Sequence, residues 1–237
     1  MTKSFTLILP CFNEGHTFEK SVNKIIAELK RNKVQWEIIF VEDKSIDDTK
    51  FAVEKFVKSD KKIRAIFHNR NMGRGKSVAD GIAASKFSIC GFMDVDCEIS
   101  PSYIPLFIHE IQKGSDLVVG TRFYEKGFAS ISRVAASRIY SYIVKRTLGI
   151  PIGDTETGFK FFNKKNILKV LKSVEDNGWF WDTEICARSY WRGLKISEVP
   201  VLFVRRHEKK STVNLFTDSI DYFVKLINFR SQKPVSN

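Results

Sequence analysis

The first hundred residues alternate short apolar runs with helical patterns, and this order constrains the fold more than any other feature of the chain. Buried strands are predicted for four apolar runs, at residues 5–9, 38–41, 63–67 and 89–93. Helices are predicted where apolar residues recur at helical spacing, at residues 17–30, 47–58 and 76–85. Because successive strands joined by helices pair in parallel, the pattern predicts an open, doubly wound α/β sheet.

The second half is less regular. After an N-cap and first-turn proline at Ser100 and Pro101, it predicts a helix to about residue 113. Further strands are predicted at residues 116–120, 159–162 and 196–204, and further helices at 133–148, 164–173, 182–192 and 215–229. The last helix has an amphipathic pattern. We therefore expect one domain over residues 1–213, followed by a C-terminal amphipathic helix and tail over 214–237.

Composition narrows the classes of partner and the cellular setting. The formal charge of +12 favours an anionic partner, but the basic residues follow no known nucleic-acid-binding motif, so no nucleic acid is expected. The four cysteines form no C-x-x-C pair, which favours reduced thiols in the cytoplasm and argues against structural zinc. No apolar run approaches membrane-spanning length, so we expect a protein that is soluble or peripheral to a membrane.

Polar residues follow every strand of the first half. They lie at residues 10–14, 42–45, 68–71 and 94–96. Ligands of open α/β sheets bind beyond the carboxyl ends of the strands, so these segments are the candidate site.

Asp94 and Asp96 directly follow a buried strand, and Glu98 lies two residues further on. Carboxylate oxygens with open coordination positions suit Mg²⁺ or Mn²⁺, and such an ion would neutralise charge on a departing diphosphate. The alternative is an acidic turn that caps the helix after Ser100.

Asn71, Gly73 and Lys76 belong to a glycine-containing loop at a predicted helix start. A P-loop would need glycine where this chain has Arg70, so that interpretation fails. Glycines and basic residues at a helix N-terminus can still approach a diphosphate. The alternative is an ordinary helix-capping loop.

Taken in order, these motifs resemble family 2 glycosyltransferases, most closely the polyprenyl-phosphate hexosyltransferases such as the dolichyl-phosphate mannose and glucose synthases. The resemblance spans residues 5 to about 213. Matching segments are residues 9–14, 41–45, 71–75, 93–96, 119–122, 133, 137, 154–159, 181–184, 198–201 and 206–211. It implies the GT-A, Rossmann-like fold: a mostly parallel central sheet flanked by helices in a single α/β domain.

The resemblance also implies roles for individual residues. The nucleoside would be held by Pro10, Phe12, Glu14 and Asp43. Asp94 and Asp96, helped by Glu98, would bind the metal and the donor diphosphate. Arg122, Arg133 and Ser137 would grip a lipid phosphate, and Arg206 would lie on a loop that closes over the donor. Arginine suits these tasks because its planar fork donates paired hydrogen bonds to phosphate. The alternative for the arginines is surface ion pairing.

Some positions depart from the family pattern. Glu42 and Lys44 replace residues that are often Asp and Gly, which leaves the choice between uridine and guanosine open. Asp182 and Glu184 lie where many members keep a catalytic base, and Asp182 is the better candidate if the acceptor is a hydroxyl.

The resemblance implies inverting transfer of a hexose from a UDP- or GDP-linked donor to a polyprenyl (dolichyl or undecaprenyl) phosphate, at the cytoplasmic face of a membrane. Two alternatives stay open. One is a glycosyltransferase that acts on a hydroxyl of a glycan, lipid or protein. The other is a noncatalytic protein that binds nucleotide sugars or nucleic acid.

Overall fold

A computed structural model describes residues 4–32, 34–124, 131–205 and 217–234, without the side chains of residues 131–138 and 217–220. The strands are β1 (Ser4–Cys11), β2 (Gln35–Glu42), β3 (Ile63–Phe67), β4 (Ile89–Met93), β5 (Leu117–Tyr124), β6 (Phe159–Asn163) and β7 (Ile196–Phe203). The helices are α1 (Phe18–Arg31), α2 (Thr49–Ser59), α3 (Arg74–Ala84), α4 (Ile104–Gln112), α5 (Ile131–Leu148), α6 (Lys164–Leu171), α7 (Trp181–Trp191) and α8 (Thr217–Arg230). Each predicted strand and helix therefore has a counterpart in the structure.

One mixed sheet holds the seven strands in the order β3-β2-β1-β4-β6-β5-β7. β1 pairs in parallel with β2 and β4, β2 with β3, and β5 with β7. β6 is antiparallel to both of its neighbours, β4 and β5. Consequently β1 to β5 and β7 end at the same edge of the sheet, and β6 begins there.

Apolar residues that alternate along the strands build a core on each face of the sheet. On one face, Leu7 and Leu9 of β1 pack among side chains of α1, α2 and α4. On the other face, Ile8 packs among side chains of α3 and α5 to α8. The structure thus confirms a mostly parallel α/β sheet flanked by helices in one domain.

The C-terminal helix is present, and it packs on this second face through Leu226 and Phe229. The predicted boundary between residues 213 and 214 lies outside the described residues, and it stays a prediction. None of the helices in the described part of the chain is long and apolar enough to cross a membrane.

All four cysteines are buried thiols that form no disulfide bond. Burial raises the pKa of the Cys90 and Cys186 thiols to about 12, which leaves both as neutral, unreactive thiols.

Candidate functional site

The polar segments predicted from the sequence meet at one edge of the sheet. The loops after β1, β2, β3 and β4 lie there because those strands are parallel. The 154–158 loop joins them because β6 is antiparallel and begins at that edge. The crevice between the β1 and β4 ends is the point at which the strand order reverses, the usual ligand position in open α/β sheets.

The loops after β1 and β2 are tied together by side chains. Asn13, which has a left-handed φ of 51°, donates its N–H to Ser45 Oγ at 3.0 Å and accepts from the Ile46 N–H at 2.9 Å. Glu14 donates its N–H to Thr49 Oγ1 at 2.9 Å. These bonds hold the segment that contains Pro10, Phe12 and Glu14 against the start of α2. Three of the four predicted nucleoside residues therefore lie in one segment, at the end of β1 and in the loop after it, that is held in place by hydrogen bonds.

Asp43 is buried, and its carboxylate holds the loop that precedes α3. It accepts N–H bonds from Met72 at 2.7 Å and Gly73 at 2.8 Å, and it contacts His68 Nδ1 at 2.6 Å. His68 Nε2 contacts Asp80 at 3.1 Å. Asp43 thus fixes this loop from a buried position, and its contact with a nucleobase stays a prediction.

The glycine-containing loop at residues 71–76 packs closely against the segment that precedes and begins α7. A Cβ at Gly73 would overlap the Asn177 carbonyl, and a Cβ at Gly75 would overlap Trp181. Lys76 donates its N–H to that same carbonyl at 3.1 Å, and its ammonium pairs with Asp80. The structure thus gives this loop a packing role, while donor contacts by Asn71, Gly73 and Lys76 stay predictions.

Asp94, Asp96 and Glu98 are half-buried and alternate with the buried Val95 and Cys97. Within the described residues, no three His, Cys, Asp or Glu side chains are grouped so as to hold a metal ion. Mg²⁺, however, is usually held by one or two carboxylates together with substrate phosphates and water. Asp94 and Asp96, two hard oxygen donors at the crevice, fit an ion of that kind. Glu98 as a third ligand stays a prediction.

A guanidinium stands beside this pair of carboxylates. Arg74, at the start of α3, donates to Asp94 Oδ1 from Nε at 3.0 Å and from Nη2 at 2.7 Å. Its Nη1 pairs with Asp182. Burial opposes the charge on Arg74, but the Asp182 and Asp94 carboxylates outweigh it and raise the pKa of Arg74. Arg74 therefore joins Asp94 to Asp182 as a permanent cation.

Lys160 forms an ion pair with the other carboxylate oxygen of Asp182. Its ammonium lies 2.5 Å from Asp182 Oδ1 and also donates to the Thr157 carbonyl. Lys160 is fully buried and Asp182 is 2 % exposed. Asp182 is thus an almost fully buried counter-ion shared by two cations, and its role as a catalytic base stays a prediction. Glu184 is equally buried and pairs with Arg188 at 2.6 Å.

Arg122 forms a second ionic cluster where β5 ends. Its Nε and Nη2 donate to the two oxygens of Asp154 at 2.6 and 2.9 Å, and Glu156 lies 3.7 Å from Nη2. Burial, together with the Asp154 and Asp182 charges, raises the pKa of Glu156 to about 7, although Arg122 opposes the shift. A guanidinium has further N–H groups beyond the two that bond Asp154, and contact of Arg122 with a phosphate stays a prediction.

The remaining predicted residues are only partly described. Arg133 and Ser137 lie on α5, one helical turn apart, but their side chains lie outside the described residues. Arg206 lies outside them entirely. Sequence reasoning missed Lys160 and Glu156, and it assigned Arg74 no individual role. Lys160 carried a signal, because a lone lysine inside an apolar strand needs a buried counter-charge.

Asp182→Asn leaves two buried cations with one carboxylate fewer, so we expect a loss of about 3–5 kcal/mol in the free energy of unfolding. Urea denaturation measures it. Glu19→Gln is the matched control, because it breaks an exposed 3.0 Å pair with Lys55 and should cost less than about 1 kcal/mol. Equal losses in the two variants would contradict the counter-ion role.

Glu156→Gln tests the raised pKa of Glu156. Its folded-state pKa of about 7 lies above the ordinary value of 4.5. The wild-type free energy of unfolding should therefore fall as the pH rises from 4.5 to about 7. We expect the variant to lack this loss and to exceed the wild type by about 1 kcal/mol at pH 8, once solvent screening is included. Urea denaturation between pH 5 and 8 measures the difference, and a pH-independent difference would refute the shift.

Two curated proteins are similar to this chain in sequence over most of its length. Glycosyltransferase AglD of Haloferax volcanii is 27 % identical over 201 residues, which are 83 % of this chain and 32 % of that protein. Undecaprenyl-phosphate 4-deoxy-4-formamido-L-arabinose transferase of Salmonella paratyphi A is 25 % identical over 227 residues, 95 % of this chain and 65 % of that one. The chain thus spans about one third and just under two thirds of these relatives.

Solved structures share the fold. Glucosyl-3-phosphoglycerate synthase from Mycobacterium tuberculosis, in complex with Mn²⁺, UDP and glucosyl-3-phosphoglycerate, superposes with a TM-score of 0.73 at 22 % identity. The superposition covers 99 % of this chain and 82 % of that one. Residues 6–171 match the family model described as "Glycosyl transferase family 2". The chain therefore belongs to glycosyl transferase family 2.

Proposed function

We propose that this protein transfers a hexose from a UDP- or GDP-linked sugar to a polyprenyl phosphate, with inversion at the anomeric carbon. The observation that carries the proposal is the pairing of Asp182 with both Arg74 and Lys160. A hydroxyl acceptor needs a base, and the carboxylate in the expected place is buried and neutralised. A phosphate monoester is already ionised near neutral pH, so it needs none.

The names of the similar proteins support this choice of substrates. The Salmonella relative is named as a transferase that uses undecaprenyl phosphate. The Mycobacterium structures hold UDP with Mn²⁺ or Mg²⁺. We extend to this chain a nucleotide-sugar donor, a divalent metal and a lipid phosphate, at the cytoplasmic face of a membrane.

In this mechanism the chain positions two anionic substrates and shields their charges. The loops after β1 and β2 hold the nucleoside through Pro10, Phe12, Glu14 and Asp43. Asp94 and Asp96 would hold Mg²⁺ or Mn²⁺, which when bound neutralises charge on the leaving diphosphate.

Arg122 orients the acceptor phosphate, whose oxygen attacks the anomeric carbon as the bond to the diphosphate oxygen breaks. Arg133, Ser137 and Arg206 would complete the phosphate contacts. Catalysis then reduces to orientation and electrostatic stabilisation.

The first experiment offers purified protein a panel of UDP and GDP sugars with Mg²⁺ or Mn²⁺, with and without a short polyprenyl phosphate. Released nucleoside diphosphate and lipid-linked sugar are both measured. We expect release to require the lipid phosphate and to stop with EDTA. Asp96→Ala should lower turnover at least about 100-fold, whereas Glu19→Ala should leave it unchanged. Donor binding without any transfer would favour a noncatalytic binder.

Glu156 supports a second candidate, transfer to a hydroxyl. A carboxyl group with a pKa of about 7 is suited to act as a general base, and Glu156 lies beside Arg122 with a side chain 33 % exposed. The Mycobacterium synthase was solved with UDP-glucose and phosphoglyceric acid, a phosphorylated small molecule without a polyprenyl chain.

Glu156→Gln separates the two candidates. If the acceptor is a lipid phosphate, we expect kcat to change less than about fivefold, because no base is needed. A general base would contribute about 10² to 10⁴-fold, so a loss of that size would favour the hydroxyl acceptor. Folding of the variant is checked by its urea denaturation curve.

A further inference from the structure

His68, the first residue after β3, lies between two carboxylates. Its Nδ1 lies 2.6 Å from Asp43 Oδ1, and its Nε2 lies 3.1 Å from Asp80 Oδ2. The side chain of His68 is 9 % exposed and that of Asp43 is 4 % exposed. Asp43 directly follows β2 and Asp80 belongs to α3, so a nearly buried ring joins these two elements.

Both contacts require the charged form of the ring. Asp43 also accepts two backbone N–H bonds, and Asp80 also pairs with the Lys76 ammonium, so each carboxylate is already used as an acceptor. A neutral imidazole carries a single N–H and would direct a lone pair at one of the two carboxylates. The imidazolium donates to both, which makes the contact of His68 an ion pair at each end.

The charges around His68 alternate in sign. Lys76, four residues before Asp80 on α3, adds the second cation. The two cations balance the two carboxylates when the ring is charged, whereas a neutral ring leaves both carboxylates with one cation. A cavity of about 440 Å³ opens beside the ring, and Arg70 and Asp80 also line it. Through this cavity the ring can exchange its proton with solvent.

His68 restricts the orientation of Asp43. The Oδ1 atom of Asp43 accepts from His68 and from the Met72 N–H, and its Oδ2 accepts from the Gly73 N–H at 2.8 Å. Met72 and Gly73 hold the carboxylate from the loop before α3, while His68 holds it from the end of β3. A carboxylate held from two elements is oriented before a ligand binds, which lowers the cost of binding.

We propose that His68, as an imidazolium, is a positioning residue that fixes Asp43 for the nucleobase of the donor, and that loss of its proton weakens nucleotide binding. The contact of Asp43 with the nucleobase rests on the proposed function. The charge of His68 and its hold on Asp43 do not, so they are tested separately.

The first measurement is ¹⁵N NMR of the whole, histidine-labelled protein near neutral pH, without nucleotide. We expect both ring nitrogens of His68 to carry a proton, with the signals assigned by their loss in His68→Gln. A ring with one protonated nitrogen would overturn the proposal. Amide hydrogen exchange of Met72 and Gly73 should be at least about tenfold faster in His68→Gln, because the carboxylate that they bond loses its charged partner.

The second measurement is the dissociation constant of UDP or GDP, whichever binds the wild type, by titration calorimetry with Mg²⁺ between about pH 6 and 9. We expect the wild-type affinity to fall as the ring loses its proton with rising pH. His68→Gln donates to one carboxylate only, so it should bind at least about tenfold more weakly at the acidic end and lack this fall. Ionisation of the nucleotide affects both proteins equally.

The matched control is His109→Gln, which replaces an exposed histidine on α4 and should bind like the wild type at every pH. Equal affinities of folded His68→Gln and the wild type across the range would overturn the positioning role. Urea denaturation checks folding, and the wild-type NMR result stands whether or not the variant folds. If neither nucleotide binds the wild type, the proposed function fails, while NMR and amide exchange still decide whether a charged His68 holds Asp43.

Discussion

The ion pair between Asp182 and Lys160 is the interaction on which the candidate site depends. Two opposite charges in a nearly dry interior are tolerable only when each satisfies the other at short range. Lys160 meets this condition with Asp182 and the Thr157 carbonyl, and Arg74 adds a second cation. The pairing joins β6, α7 and α3 at a single point.

The same ion-pair network also holds Asp94, the first residue after β4. Arg74 reaches from Asp182 to Asp94, so the first carboxylate after β4 is held by the same network. The Asp94 N–H donates to the Gly158 carbonyl at 3.0 Å, and a side chain at Gly158 would overlap the Asp94 carboxylate. The 154–158 loop is therefore packed tightly against Asp94, with the Arg122 cluster at its other end. The proposed donor and acceptor sides are therefore joined by one closely packed loop.

Much of this arrangement was predictable because it is local. The strands at 63–67 and 89–93 have the predicted bounds, since continuous apolar runs ended by polar residues mark buried strands. The positions of Asp94 and Asp96 at a strand end followed from the same pattern. The direction of β6 did not, because five residues of apolar strand have the same periodicity in either direction. The role of Asp182 did not either, since its partners are 22 and 108 residues away.

The sequence by itself determined the order of the elements, the faces that they bury and the polar segments that follow the strands, because each depends on the spacing of neighbouring residues. Only the tertiary structure decided which charges meet. It paired Asp182 with Lys160 and Arg74, placed Glu156 beside Arg122, and left apolar side chains on the outer faces of α5 and α8. Desolvation and Coulomb energies depend on distances across the fold, and local sequence patterns do not encode those distances.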